Sequence, residues 1–445
     1  MIKKIYLALA LMGSLVLPSC DSFLDITPVG VVIPQTLDEY RSLLTTAYNF
    51  STIDRSVCEV RTMDAVVRDN SYDQNSFSDV QKWIDKSSNP ATHEFGWSNY
   101  YSTIYYANAI LANKEDIENG STEEINQIIG EAYLLRAYTH FNLVNLYGQP
   151  YTKQGASETK AVPLKLDLDL ENVLGRNTVG EVYKSILDDI SSARTFLNVE
   201  KWEERYSYRF TTLSADALES RVQLYMGNWD KAYSLSEAVL NVKSDLEDLN
   251  NSDSKLPNHY QSVEVINAYE KVFTSTTANA FYATPALLSI YDKDNDARYT
   301  RFFEVGTDTN LKIKKNDGST SYRCSFRTAE YYLNSAEAAA HLNKLDSAKT
   351  RLKELIANRY NSVGYSARVA LIDNMTKEQL ISEILDERSR ELAFEGHKWF
   401  DLRRTTRPAI EKVIDGATYT LSQDDPRYTL PIPTTAISSN PNLGN

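Results

Sequence analysis

The chain has 445 residues, 42% of them hydrophobic and 24% charged, enough to bury a full core and too polar for a multi-span membrane protein. Its 16 Gly and 13 Pro amount to about 3.6% and 2.9%, against the usual ~7% and ~5%, which disfavours a turn-dense sandwich or barrel and favours helices. Lys and Arg number 47 against 60 Asp and Glu, a net charge of −13, and no basic run is present, so nucleic acid and anionic membrane surfaces are not expected partners.

From the N-terminus, Lys3 and Lys4 precede an apolar run from Ile5 to Leu17, shorter than the ~18–20 residues that span a bilayer and of the proportions of a signal peptide. It ends in Leu17-Pro18-Ser19-Cys20, which resembles the lipobox of bacterial lipoproteins. Residues 1–19 are therefore expected to be a signal peptide and Cys20 the acylated first residue of the mature chain, a lipid anchor carrying palmitate. The remaining cysteines, Cys58 and Cys324, are too few and too far apart for a disulfide framework or a zinc site, and whether they pair stays open.

Helical periodicity opening on Ser, Thr or Asp predicts helices over 36–50, 97–118, 122–147, 178–197, 211–226, 230–245, 328–342, 346–359 and 376–394. Two stretches align without gaps: Leu224 to Ala232 and Ala340 to Ala348 both read helix, tight turn, Asp, Ala. Asp230 and Asp346 are expected to cap the second helix of each pair, and the alanines to let the helices approach. This spacing resembles the tetratricopeptide repeat, in which paired antiparallel helices stack. Between Leu311 and Phe326 a period of two around Asn316-Asp317-Gly318 predicts a small β-hairpin. Residues 248–300 are the least regular. No Pro/Gly/Ser-rich linker is present, so an N-terminal region 20–230 and a C-terminal region 231–445 are read as one continuous, mainly α body with irregular loops.

Glu391, Glu395, His397 and Asp401 could suggest a metal or acid/base site, but Arg388, Arg390, Arg403 and Arg404 crowd the same segment, and structural ion pairs are the expectation. Asp292, Asp294 and Asp296 have the first spacings of a calcium loop, yet Ala297 stands at its sixth position and Phe303 at its twelfth, so the calcium-loop reading fails. No phosphate loop, H-E-x-x-H or G-x-S-x-G is present. No catalytic residue, metal site or cofactor is expected.

Several stretches together resemble one family, the SusD/RagB-like nutrient-binding lipoproteins of Gram-negative outer membranes. They are Cys20 to Pro28, Arg136-Ala137-Tyr138 through Gly148, Arg327 to Leu333, the run Asp386 to Arg404, and Tyr428 to Pro433 followed by Asn440-Pro441-Asn442-Leu443. The resemblance implies a non-catalytic lipoprotein at the cell exterior that captures oligosaccharides, or peptides in the RagB branch, and delivers them to a SusC-like TonB-dependent barrel. A surface glycan hydrolase is the remaining alternative. It also implies membrane contact through the lipid anchor alone.

Tyr, at 29 residues, outnumbers Phe, at 14, and its apolar ring with a polar tip suits half-exposed positions. Sugars stack their C–H faces on such rings, so ligand platforms are sought among aromatics on irregular loops. Trp83, with Tyr72, Asp73 and Asn75 upstream, is the first candidate, because relatives carry ligand-facing aromatics before this family helix. The loop bearing His259, Tyr260, Tyr269 and Tyr282 is the second.

Overall fold

The structure, a computed structural model, describes residues 34–50, 52–169, 171–305 and 311–444; the signal segment, Cys20 and the motif through Pro28 lie outside them. Side-chain caps set most helix starts. Thr36, Ser121, Thr178 and Thr376 each accept the amide three residues on, while Glu39, Glu124, Glu181 and Gln379 reach back to the cap amide, which satisfies two otherwise orphaned donors per helix. The long elements are α1 (Leu37–Asn49), α2 (Ser71–Gln81), α3 (Ser98–Ala112), α4 (Thr122–Tyr147), α5 (Val179–Phe196), α6 (Thr212–Met226), α7 (Trp229–Val242), α8 (Thr328–His341), α9 (Leu345–Ile356), α10 (Ser362–Asp373), α11 (Lys377–Glu391) and α12 (Lys398–Arg404). The predicted helices are all present, with ends displaced by a few residues, and α2, α10 and α12 are additional.

Helices α4/α5, α6/α7 and α8/α9 form antiparallel pairs, and α7 packs on both α6 and α8. The two aligned turns share one backbone geometry. Gly227 and Asn343 adopt φ of 74° and 62°, and the amides of Asn228 and Lys344 donate to Gln223 and Ala339 carbonyls at 2.9 and 2.8 Å. Asp230 and Asp346 are not the caps, however. Each helix begins one residue earlier, so Asn228 and Lys344 occupy the cap position without a side-chain bond and the aspartates sit in the first turn, where they favour the positive end of the helix dipole. Trp229 stacks on His341 at 3.8 Å and 5°, joining one pair to the next. Helix α7 straddles residues 230 and 231, and one apolar cluster draws residues from both halves of the chain.

The strands are short: β1 (Ala65–Val67), β2 (Val265–Asn267), β3 (Phe281–Ala283), β4 (Phe303–Val305), β5 (Leu311–Ile313), β6 (Phe326–Arg327), β7 (Ile410–Ile414) and β8 (Ala417–Leu421). An antiparallel sheet of order β1-β3-β5-β4 turns Ala65, Val67, Phe281, Ala283, Phe303, Leu311 and Ile313 into a second core shared with Phe77, Phe273 and Phe394. The hairpin expected around Asn316-Asp317-Gly318 does not form. Its first arm, β5, pairs with β3 and β4, and its second, β6, pairs with β2. The two-residue hairpin is instead β7–β8, turning at Asp415-Gly416 with φ of 53° and 77°, as a type I′ turn requires. Cys58 and Cys324 are both free. Among the described residues no helix is long and apolar enough to cross a membrane.

Candidate functional site

Half-exposed aromatic rings concentrate where the end of α1, the middle of α3, the 202–210 loop and the chain leaving β2 meet. Tyr48 anchors them: its hydroxyl donates to Glu131 at 2.9 Å, and its ring meets Tyr208, Phe210 and Tyr269 edge-on at 5.2 to 5.6 Å. The Asn267 side-chain amide donates to the Tyr208 and Arg209 carbonyls at 3.2 and 3.0 Å, fixing the loop that carries Trp202 and Tyr206. Arg209 lies over both rings, 5.0 Å from Trp202 and 4.0 Å from Tyr206, a cation–π arrangement that holds a flexible side chain in place. On the other side of Tyr269 a shallow depression of about 30 Å³ is lined by Phe50, Thr52, Asn142, Tyr269 and Glu270 among others. Phe50 stacks on Tyr106 at 5.5 Å and 23°, and Tyr106 meets Tyr105, whose side chain is 41% exposed.

Glu270 is the one carboxylate lining this depression. It accepts hydrogen bonds from the Arg55 guanidinium and the Tyr138 hydroxyl. Burial and then the Glu270 charge push the Tyr138 hydroxyl well above its ordinary value, so it remains a donor. The arrangement offers ring faces with amide, hydroxyl and carboxylate groups beside them, the combination that suits a ligand with both C–H faces and hydroxyls.

The structure separates the expected site residues. Trp83 is 1% exposed; its indole N–H donates to the Arg61 carbonyl at 3.0 Å and the Lys412 ammonium lies 5.0 Å from its ring. No ring face is left for a ligand, and the expected stacking platform is instead a core residue with φ of 57°. Tyr72, Asp73 and Asn75 are on α2, where an irregular loop was expected. Asp73 is buried and bound to the cap residue Asn70, whose Oδ1 accepts the Asp73 amide at 2.9 Å. Asn75 accepts from Asn89 at 3.0 Å, and Tyr72 is exposed. Tyr282 lies on the outer face of the four-stranded sheet with Arg68 6.0 Å above its ring. His259 and Tyr260 stack at 5.1 Å and 29° and adjoin the 202–210 loop through a Gln261–Glu204 hydrogen bond. Only Tyr269 lies within the aromatic face itself.

The carboxylates of the Glu391–Asp401 cluster are all engaged by cations. Glu391 is bonded by Arg298 at 2.9 Å, Arg327 at 2.7 Å and Arg359 at 2.8 Å, Glu395 by Arg327 at 2.8 Å, and Asp401 by Arg388 and Arg404 at 3.1 and 2.7 Å. The partners of Glu391 and Glu395 come from distant segments, not from the neighbouring arginines anticipated above. Burial drives His397 well below its ordinary value, so it is neutral. Asp292 is spent on its own turn, accepting the Asp294 and Asn295 amides at 3.1 and 3.2 Å, and buried Asp296 binds Arg298 at 2.8 Å. Among the described residues no group of acidic, His and Cys side chains is placed to hold a metal.

A family model described as starch-binding, associating with the outer membrane, matches residues 21–224, and a SusD-like protein of Formosa agariphila is 24% identical across 95% of each chain. The chain is thus similar to SusD-like proteins nearly end to end. Solved structures with the SusD-like fold include a SusD superfamily protein of Bacteroides thetaiotaomicron, 22% identical, covering 92% of this chain and 99% of that one at a TM-score of 0.77. Another is a SusD-like carbohydrate-binding protein of Bacteroides vulgatus, 18% identical, covering 92% and 98% at 0.68. The fold is therefore mainly α with small β-hairpins, as in these SusD superfamily structures.

Proposed function

We propose that this SusD-like protein captures oligosaccharides on the aromatic face centred on Tyr269, without breaking a bond, and hands them to a SusC-like TonB-dependent barrel. Cys20 carries the lipid that holds it at the outer membrane, facing the cell exterior. The observation that carries the reading is the run of half-exposed rings, Trp202, Tyr206, Tyr269, Phe50, Tyr106 and Tyr105, held by a buried hydrogen-bonded frame and flanked by Asn142 and Glu270. Stacking on fixed rings loses little side-chain entropy. Glycoside hydrolysis ordinarily uses two carboxylates across the bond; the depression presents Glu270, already held by Arg55 and Tyr138. The exposed outer-sheet pair of Tyr282 and Arg68, with Tyr72 near it in sequence, extends the surface on which a longer glycan could rest.

The test is affinity electrophoresis of the mature protein through gels carrying starch and other polysaccharides, with a reducing-end assay on the same mixtures. Retardation by at least one glycan with no new reducing ends is expected. Cleavage of the retarding glycan, or retardation by none while basic or neutral peptide pools bind in calorimetry, would overturn the reading.

A further inference from the structure

A cavity of about 1080 Å³ shares no lining residue with the aromatic face. It opens between the segment 84–95, the turn after α4, the chain around Lys160 and Arg176, and the C-terminal segment 429–434. Its volume is at the upper end of the ~300–1,000 Å³ of small-molecule sites, so it has room for several linked rings. None of the residues expected from the sequence to bind ligand lines it.

Its charge is opposite to that of the chain. The lining includes Lys86, Lys153, Lys160 and Arg176 but only two carboxylates, Asp85 and Glu94, in a protein of net charge −13. Asp85 is already neutralised from behind, bound through both oxygens by the buried Arg61 at 2.5 and 3.2 Å. Arg176 has no carboxylate partner among the described residues: it donates to the Ala161 and Lys160 carbonyls at 2.8 and 2.7 Å, which orient the guanidinium and leave its charge uncompensated. The ammonium groups of Lys86 and Lys160 make no hydrogen bond or close ion pair with the described residues, although Glu181 on α5 is near enough to Lys160 for their charges to interact. Lys153 reaches Gln149 at 3.2 Å. Unpaired cations around a concave surface focus potential and attract anions, and an arginine fixed by carbonyls is prepared for bidentate binding of carboxylate or sulfate. Ser87, Asn89, Thr92, Gln154 and Thr434 supply neutral donors and acceptors between the charges.

We propose that this cavity is a second ligand site, distinct from the aromatic face, and that it binds an acidic oligosaccharide through its carboxylate or sulfate groups. That the ligand is a saccharide rests on the capture function proposed above; that it is anionic rests on Lys86, Lys153, Lys160 and Arg176.

The test is calorimetry of the full mature chain against tetragalacturonate, an alginate tetramer and a chondroitin sulfate tetramer, beside methyl-esterified tetragalacturonate and maltotetraose as neutral probes. At least one acidic probe should bind, its affinity falling as salt rises. The double variant Lys86→Gln/Lys160→Gln should weaken it at least tenfold with unchanged thermal unfolding. Equal binding of the esterified probe, or undiminished affinity for the acidic probe in the double variant, would overturn the proposal. Binding of maltotetraose with none of the acidic probes would also overturn it while leaving glycan capture standing. Binding of no saccharide at all would remove both.

Discussion

In α6 to α9 most buried side chains are apolar, among them Leu218, Val222, Ala232, Val239, Leu333, Ala336, Ala348 and Leu352, repeating at helical spacing and packing helix on helix, with a buried Arg221–Glu330 pair at 2.6 Å between α6 and α8. The segment 264–327, the turn after α9 and the segment 387–395 bury many charges besides their apolar residues: Glu264, Arg298, Lys315, Arg327, Arg359, Glu387, Glu391 and Glu395. Arg327 bonds Glu264 at 2.9 Å and Glu391 at 2.7 Å, and Arg359 bonds Glu264 at 2.6 Å. An irregular chain offers no periodic apolar stripe, and guanidinium forks can satisfy carboxylates and carbonyls contributed by several remote segments at once. Desolvating so many charges brings little net stability; what it supplies is position. Glu264 lies three residues before Asn267, which fixes the 202–210 loop, and five before Tyr269, so the ion-pair network sets the register of the chain that carries the aromatic face.

Breaking one member of that network is expected to have the largest effect. Glu391→Gln leaves three arginines short of a charge, and removing one partner of a buried pair costs ~3–5 kcal/mol; chemical denaturation should show this loss. Burial and the neighbouring arginines act in opposite directions on Glu391, and the arginines prevail, holding it well below the usual carboxylate range. The stability it contributes is present above pH ~4 and is lost as pH falls through its depressed folded value, a loss the Gln variant should not show. In the helical pairs, Ile186→Ala removes a fully buried side chain and should cost ~2–5 kcal/mol through lost burial and a cavity, with no change in that acid dependence.

Glu59 sharpens the comparison from the other direction. It is buried beside Asp64, and desolvation, then Asp64, pushes its carboxyl up to about 8. A raised folded value means the native state holds the proton longer, so this contribution is complete below about pH 4.5 and declines as pH rises to about 8. Unfolding free energies of Glu59→Gln should be flatter over that window than those of the parent. The smallest effect is expected from Thr178→Ala, which deletes one side of the capping box of α5 and should cost ~1 kcal/mol.

The contrast also explains what the sequence disclosed. Helices were legible because their caps and apolar spacing are local. The repeat was legible because Gly227 and Asn343 sit at equivalent left-handed positions. The Asp415-Gly416 turn between alternating residues was an available hairpin signal, and Asn316-Asp317-Gly318 was a misleading one. A Cβ on Gly318 would lie 2.5 Å from the Ser275 backbone, so this glycine permits a close chain approach and no hairpin. The arginine partners of Glu391 are up to 93 residues away in sequence, a distance over which no spacing rule operates. Trp83 carried no local mark of its burial, because the Arg61 carbonyl and Lys412 that enclose it come from elsewhere in the chain. The dense Trp, Tyr and Arg residues of 202–209 were a legible sign of the aromatic face.

Capture on that face is the central claim, and Tyr105 tests it most directly because its ring is 41% exposed and meets Tyr106 at the edge of the array. Calorimetric titration of the parent and Tyr105→Ala with a glycan that retards the parent should show affinity falling roughly two- to tenfold, in line with a lost aromatic contact of ~0.5–1.5 kcal/mol, while thermal unfolding is unchanged. Identical affinity in Tyr105→Ala, and again when Phe50→Ala is added, would contradict capture by this surface.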